Sequence, residues 1–109
     1  MIKNSQSIDD GMLIEVQGEI NFTTSPALRA ELMSVLQPGL SRLVVDLSDV
    51  THMDSSGVAT LVEAMQIQRQ NDNKLVLCSL QPRVKGIFQI SRLDNVFTIV
   101  DDRETAVTA

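Results

Sequence analysis

Aromatic residues are almost missing from this chain: three Phe, no Trp and no Tyr among 109 residues. The core is therefore expected to be aliphatic, and the stacking side chains that hold single-stranded nucleic acid are lacking. Cysteine is reduced to Cys78, so no internal disulfide can form and a reducing, cytosolic setting fits. No apolar run approaches the ~20 residues of a membrane span. The segment Met1-Ile2-Lys3-Asn4-Ser5 has no apolar stretch of the signal-peptide kind. Lys and Arg form no runs, and nine of them stand against fourteen Asp and Glu, a formal net charge of -5. Such a surface repels phosphate backbones and anionic lipid in general, so neither nucleic acid nor direct membrane insertion is expected.

What is present suits one globular domain spanning residues 1–109, with 43% hydrophobic and 21% charged residues. Linkers, internal repeats and low-complexity tracts are absent. Ile2 to Ile8 is a strand candidate, and Asp9-Asp10-Gly11 a turn. Beyond it Ile14, Val16, Gly18 and Ile20 alternate with Glu15, Gln17 and Glu19, the period of a half-buried strand. Thr24-Ser25-Pro26 opens a helix, with a hydroxyl at the cap and Pro at the first helical position. Leu28, Leu32, Val35 and Leu36 form its apolar stripe, and Pro38-Gly39 stops it.

Leu43 to Leu47 is nearly continuous and β-branched, as suits a central strand covered on both faces. Ser48 to Met53 reads as a loop leading to Asp54-Ser55-Ser56-Gly57. A second helix follows, with Val58, Leu61, Val62 and Met65 on one face, and Asn71-Asp72-Asn73 ends it. Leu75 to Cys78 is a short buried strand. Pro82 starts a third helix with Val84, Ile87 and Phe88 inward. Its Gly86 costs about 1 kcal/mol against Ala and has no explanation in the sequence. Val96 to Val100 is the last strand, and Asp101 caps a short terminal helix. A hairpin followed by alternating helices and strands predicts an α/β domain: a mixed, mostly parallel sheet packed with about four helices.

The segment Thr51 to Gly57 is where chemistry is concentrated. Asp-Ser-Ser before an amphipathic helix is first of all an N-cap and needs no function. It also lies where open α/β sheets gather functional groups. Exposed backbone N–H groups and the potential of a helix N-terminus there suit a negative charge. Enzyme readings fail in turn. His52, Asp54 and Ser55 include the three triad residue types, but neighbours in one segment cannot converge as a triad, and no Gly-x-Ser-x-Gly elbow is present. One His and one distant Cys give no metal spacing. Asp46, Asp49 and Asp54 read as solvated loop carboxylates, and no nucleotide loop exists. No catalytic residue, cofactor or metal is therefore expected.

The run Val44-Val45-Asp46-Leu47-Ser48-Asp49-Val50, then Met53-Asp54-Ser55-Ser56-Gly57-Val58, resembles the signature of STAS domains, and among them the anti-sigma-factor antagonists. Gly18-Glu19-Ile20 before the first helix, and Pro82, Val84, Phe88 and Leu93 near the third, extend the resemblance over nearly the whole chain. It implies a cytoplasmic bacterial partner switch. The unphosphorylated protein binds an anti-sigma factor that is also a serine kinase, and sigma factor is released. The kinase phosphorylates Ser55 using ATP, the complex parts, and a protein serine phosphatase restores it. Asn21, Asp54, Ser56 and Gly57 then surround the phosphosite and the partner-binding surface. The resemblance leaves an alternative: a non-switching STAS scaffold or a subunit of a stress-sensing or transport assembly. Two positions depart from the family pattern. Asn21 stands where many members have Asp, and His52 where the residue is usually apolar.

Overall fold

A computed structural model describes residues 1–36 and 40–109. Strands β1 (Ile2–Ile8) and β2 (Gly11–Ile20) are followed by helix α1 (Ser25–Val35), β3 (Arg42–Met53), α2 (Ser55–Gln70) and β4 (Lys74–Cys78). Then come α3 (Pro82–Ile90), a 3-10 turn at Leu93–Asn95, β5 (Thr98–Val100) and α4 (Arg103–Ala106). The sheet order is β1-β2-β3-β4-β5. The Asp9-Asp10 turn makes β1 antiparallel to β2, and the remaining neighbours pair in parallel. This is the mixed α/β sheet that the pattern predicts. Pro38-Gly39, the expected stop of α1, lies outside the described residues.

The two faces of β3 explain its unbroken apolar run. Leu43, Val45 and Leu47 join the main core with Leu28 and Leu32 of α1, Leu61 of α2 and Phe88 of α3. Val44 points the other way, into a smaller cluster with Leu13, Val76, Cys78 and Ala106 of α4. Burial pushes the Cys78 thiol up to about 11, as befits a small hydrophobe rather than a redox group. Met53 and Met65 are buried and Met33 packs at the edge of the main core, all as filler.

Four local expectations are corrected. Ser48 to Met53 is not a loop but the continuation of β3. The register with β2 slips twice, from Glu15↔Asp46 to Gln17↔Asp49 and from Gly18↔Val50 to Glu19↔His52. Each slip inserts one extra residue in β3, a bulge. Buried positions then fall at Leu47, Val50 and Met53, spaced by three, and the period-two signal disappears. Gly18, at φ 93, supplies the left-handed backbone beside the second slip. The last strand is only Thr98–Val100, because Val96 and Phe97 close the 3-10 turn. Phe97 stacks edge-on against Phe88 at 5.3 Å between ring centres. The α4 cap is Asp102, one residue later than expected, and its carboxylate accepts from the Thr105 N–H at 2.8 Å. Finally, Asp46 is not a solvated loop carboxylate. It is 2% exposed in mid-strand and paired with Arg103 of α4.

Candidate functional site

The site begins where β2 and β3 end side by side. Ile20 and Met53 are fully buried there, and the Asp54 N–H donates to the Ile20 carbonyl at 3.0 Å. Asp54 is extended and caps α2. Its Oδ1 accepts from the N–H of Ser56 at 2.9 Å, from the Ser56 hydroxyl at 2.5 Å and from the N–H of Gly57 at 3.4 Å. Its Oδ2 reaches across to the turn after β2 and accepts from the Phe22 N–H at 3.0 Å. One carboxylate thus joins the entry to α1 to the entry to α2. The Ser56 hydroxyl bond, against a smaller opposing effect of burial and helped by the Ser56, Gly57 and Phe22 amides, holds Asp54 below the usual carboxylate range. A depressed folded value means the cap stabilises the fold above the unfolded carboxylate range and is lost as pH falls through the folded value.

The α1 entry is built by Asn21. Its Oδ1 accepts from the N–H groups of Thr23 at 2.9 Å and Thr24 at 3.1 Å. The Thr24 hydroxyl accepts from the Asn21 N–H at 2.9 Å and donates to the Glu19 carbonyl at 2.8 Å. The expected Thr24 cap is therefore corrected. Thr24 makes no side-chain cap bond to α1, because its hydroxyl is spent closing the turn. The Asn21 amide oxygen faces its own turn's amides and meets the phosphosite candidate only indirectly, through the Phe22–Asp54 bond.

Ser55 is the first residue of α2 and is exposed, as the spacing predicts. Its hydroxyl and its N–H have no hydrogen-bond partner among the described residues. Ser56 differs: it is half-buried and tied to Asp54, and its carbonyl accepts from the Thr60 hydroxyl. The expectation of several free N–H groups here is also corrected. Asp54 already occupies those of Ser56 and Gly57 with its side chain, and its carbonyl accepts from Gly57 and Val58. Gly57 answers to packing. A Cβ there would lie 2.6 Å from Ile20 Cγ2 and 2.7 Å from Met53 Cγ. Farther along, Arg29 of α1 grips Glu63 of α2 with two bonds of 2.8 and 2.6 Å, setting the helices side by side.

Two outcomes concern residues the sequence singled out or passed over. His52 is exposed on β3, opposite Glu19 in the register, and bonds to neither Asp54 nor Ser55. Phe22 was not anticipated. Its side chain is 84% exposed while its amide is held by Asp54. The signal was there: one of three aromatics stands in a polar turn, Asn21-Phe22-Thr23-Thr24. Among the described residues no three His, Cys, Asp or Glu side chains group as a metal site. No helix among them is long and apolar enough to cross a membrane.

A single mixed-sheet α/β domain with a capped Asp-Ser-Ser-Gly helix start is a defined class of fold and site. The model of the STAS domain matches residues 2–106, and the chain belongs to that family. It is 36% identical over 101 residues to BtrV of Bordetella bronchiseptica, a protein named as an anti-sigma factor antagonist, covering 92% of this chain and 87% of that one. It is 29% identical over 96 residues to the anti-sigma-B factor antagonist of Staphylococcus epidermidis, covering 88% and 89%. In fold it resembles an anti-sigma factor antagonist from Mycobacterium paratuberculosis, with a TM-score of 0.87 at 24% identity, covering 96% of this chain and 89% of that one.

Proposed function

We propose that this protein is an anti-sigma-factor antagonist that works as a phosphorylation-controlled partner switch and not as an enzyme. In its unmodified form it binds an anti-sigma factor that is also a serine kinase. Phosphorylation of Ser55 dissolves that complex, and a protein serine phosphatase reverses the change. Asn21, Asp54, Ser56 and Gly57 shape the surface around Ser55. The setting is the bacterial cytoplasm.

The observation that carries this reading is the contrast within one turn of helix. Ser55 offers an exposed hydroxyl with no partner among the described residues, whereas Asp54, Ser56 and Gly57 beside it are bonded to one another. The relatives' names support the general role. A phosphate adds about -1.5 to -2 charges and strong acceptor oxygens. Buried against a partner, that charge must shed water with only the Ser55 N–H left at the helix start to compensate it. A loss of ~3 kcal/mol weakens binding more than a hundredfold. Local electrostatics suffices, with no large rearrangement of the fold.

The test is co-purification of the tagged protein from its host, followed by calorimetry with the recovered anti-sigma factor. Ser55→Ala is expected to bind persistently and resist phosphorylation, and Ser55→Asp to bind poorly. Tight binding by protein phosphorylated at Ser55 would refute the switch.

A further inference from the structure

The motif offers two adjacent serines, and the structure treats them unequally. We infer that Asp54 is the specificity-determining residue that confines phosphorylation to Ser55, by holding the Ser56 hydroxyl out of reach of a kinase. The inference rests on the partner-switch reading and adds what selects one serine within it.

Phosphoryl transfer needs a serine oxygen in line with the γ-phosphorus of ATP. The Oγ–P bond forms as the bond to the β,γ-bridging oxygen breaks, ADP leaves, and the hydroxyl proton passes to a base of the kinase. Ser55 can meet these demands directly: it is exposed, and its hydroxyl bonds to nothing among the described residues. Ser56 cannot without dismantling the cap. Its hydroxyl already donates to Asp54 Oδ1 at 2.5 Å, and the residue is half-buried. Asp54 in turn is fixed by three backbone amides, those of Ser56, Gly57 and Phe22, so it does not swing away with the serine. Asp54 is not thereby a base that activates Ser56. A carboxylate held below its usual range by these bonds is a weaker base than a free one. A phosphate on Ser56 would also set a dianion within contact distance of that carboxylate, where like charges repel. The same group thus stabilises the unmodified Ser56 and disfavours its phosphorylated form.

The experiment maps phosphate by tandem mass spectrometry on the full chain, purified from its host across growth stages. Wild type is compared with Asp54→Asn, Asp54→Ser and Asp54→Ala. Asn keeps an acceptor for the Ser56 hydroxyl, and Ser keeps a helix-capping oxygen but removes the carboxylate. Wild type and Asp54→Asn are expected to carry phosphate on Ser55. In Asp54→Ser and Asp54→Ala the ratio of Ser56 to Ser55 phosphate is expected to rise about tenfold to a hundredfold, the range a hydrogen bond to a charged group commands. The ratio is internal to each molecule, so differences in expression level or total labelling do not move it, and melting curves of each variant identify those that are folded. If Asp54→Ala fails to fold, Asp54→Ser, with its capping oxygen, carries the test. Phosphate confined to Ser55 in every folded variant would overturn the inference and leave the switch standing. Phosphate on Ser56 of wild type would overturn the inference. Phosphate on neither serine of wild type would overturn the switch reading and the inference with it.

Discussion

Replacing Gly57 with Ala tests whether the start of α2 is positioned by close packing. The added Cβ would sit 2.6 Å from Ile20 Cγ2, 2.7 Å from Met53 Cγ and 3.3 Å from Ile20 Cβ. Carbon atoms in contact prefer about 3.5–4.0 Å, so something must move by about 1 Å. Ile20 and Met53 are completely buried at the paired ends of β2 and β3. The helix start is therefore the part that yields. Overpacking of this size costs about 1–3 kcal/mol. Exchanging Gly for Ala in a helix returns about 1 kcal/mol, which leaves a net loss of up to about 2 kcal/mol. For a domain of this size that lowers Tm by up to roughly 15 °C. The internal control is Gly86→Ala in α3, whose Cβ would meet nothing within 4 Å. There only the backbone gain remains, about 0.5–1 kcal/mol, and Tm should rise. Thermal and urea unfolding of the two variants side by side read the difference. Equal stabilisation by both would refute the packing argument and show that the serine-bearing turn is free to shift.

Arg103→Ala leaves the buried Asp46 carboxylate with Ser48, whose N–H donates at 2.8 Å and whose side chain also bonds to it. The expected cost is about 1–3 kcal/mol in urea unfolding. The same variant should unfold at higher pH on acidification. Burial raises Asp46, and the bonds from Ser48 and Arg103 outweigh this and hold it low, so its stabilisation survives until pH falls through that low value. Removing Arg103 lifts the folded value and brings the loss to higher pH; an unchanged acid midpoint would argue against the pairing. Phe88→Ala, which empties the fully buried partner of Phe97, should cost about 3–5 kcal/mol by denaturant titration. Asn21→Asp keeps the acceptor of the α1 entry turn and adds a charge near a helix N-terminus. It should raise stability by about 0.3–1 kcal/mol in the same titration, and a change in the rate of Ser55 phosphorylation would tie the turn to the phosphosite. Phosphorylation of Ser55 itself should leave Tm level or slightly lower, because the amides it would seek are taken; a clear rise would mean that phosphate had displaced Asp54.

The parts of this fold legible in the sequence are those whose signal is local. Ile14, Val16 and Ile20 declare β2 by alternation, and Leu61 and Met65 declare the buried face of α2 by helical spacing. The far half of β3 was illegible because two bulges replace alternation by a spacing of three. Bulges are a property of a strand pair, not of one strand. Arg42 and Arg103 carried no local mark either. Arg42 is buried and bonds to Asp10 and to the carbonyls of Ala106 and Ala109, while Arg103 joins Asp46 and Glu15. Those partners lie 32 to 67 residues away for Arg42. Together the two arginines fasten the C-terminal helix over the second face of the sheet, the cover that the unbroken apolar run of β3 calls for. At the site, the position of Ser55 followed from spacing. The N-cap at Asp54 was legible as well; that its carboxylate would take the Ser56 and Gly57 amides and leave little room for an anion was not, because a cap residue and an open anion site share the same sequence.

That occupation changes how a charge at Ser55 is expected to act. A helix start with open amides would draw a phosphate inward, neutralise it in part and hide it from a partner. Here the Ser56 and Gly57 amides are already bonded to Asp54, and only the Ser55 N–H remains without an acceptor. A phosphate on Ser55 would therefore gain little from the helix and would meet a carboxylate on its inner side. The favourable place for it is outward, in water, next to the turn whose Phe22 amide Asp54 holds. A partner that packs over it must strip most of its water, since the helix start offers it only the Ser55 N–H. If the proposed switch operates, Asp54 serves it twice. It keeps the neighbouring hydroxyl bonded, and it keeps a phosphate on Ser55 from retreating into the fold.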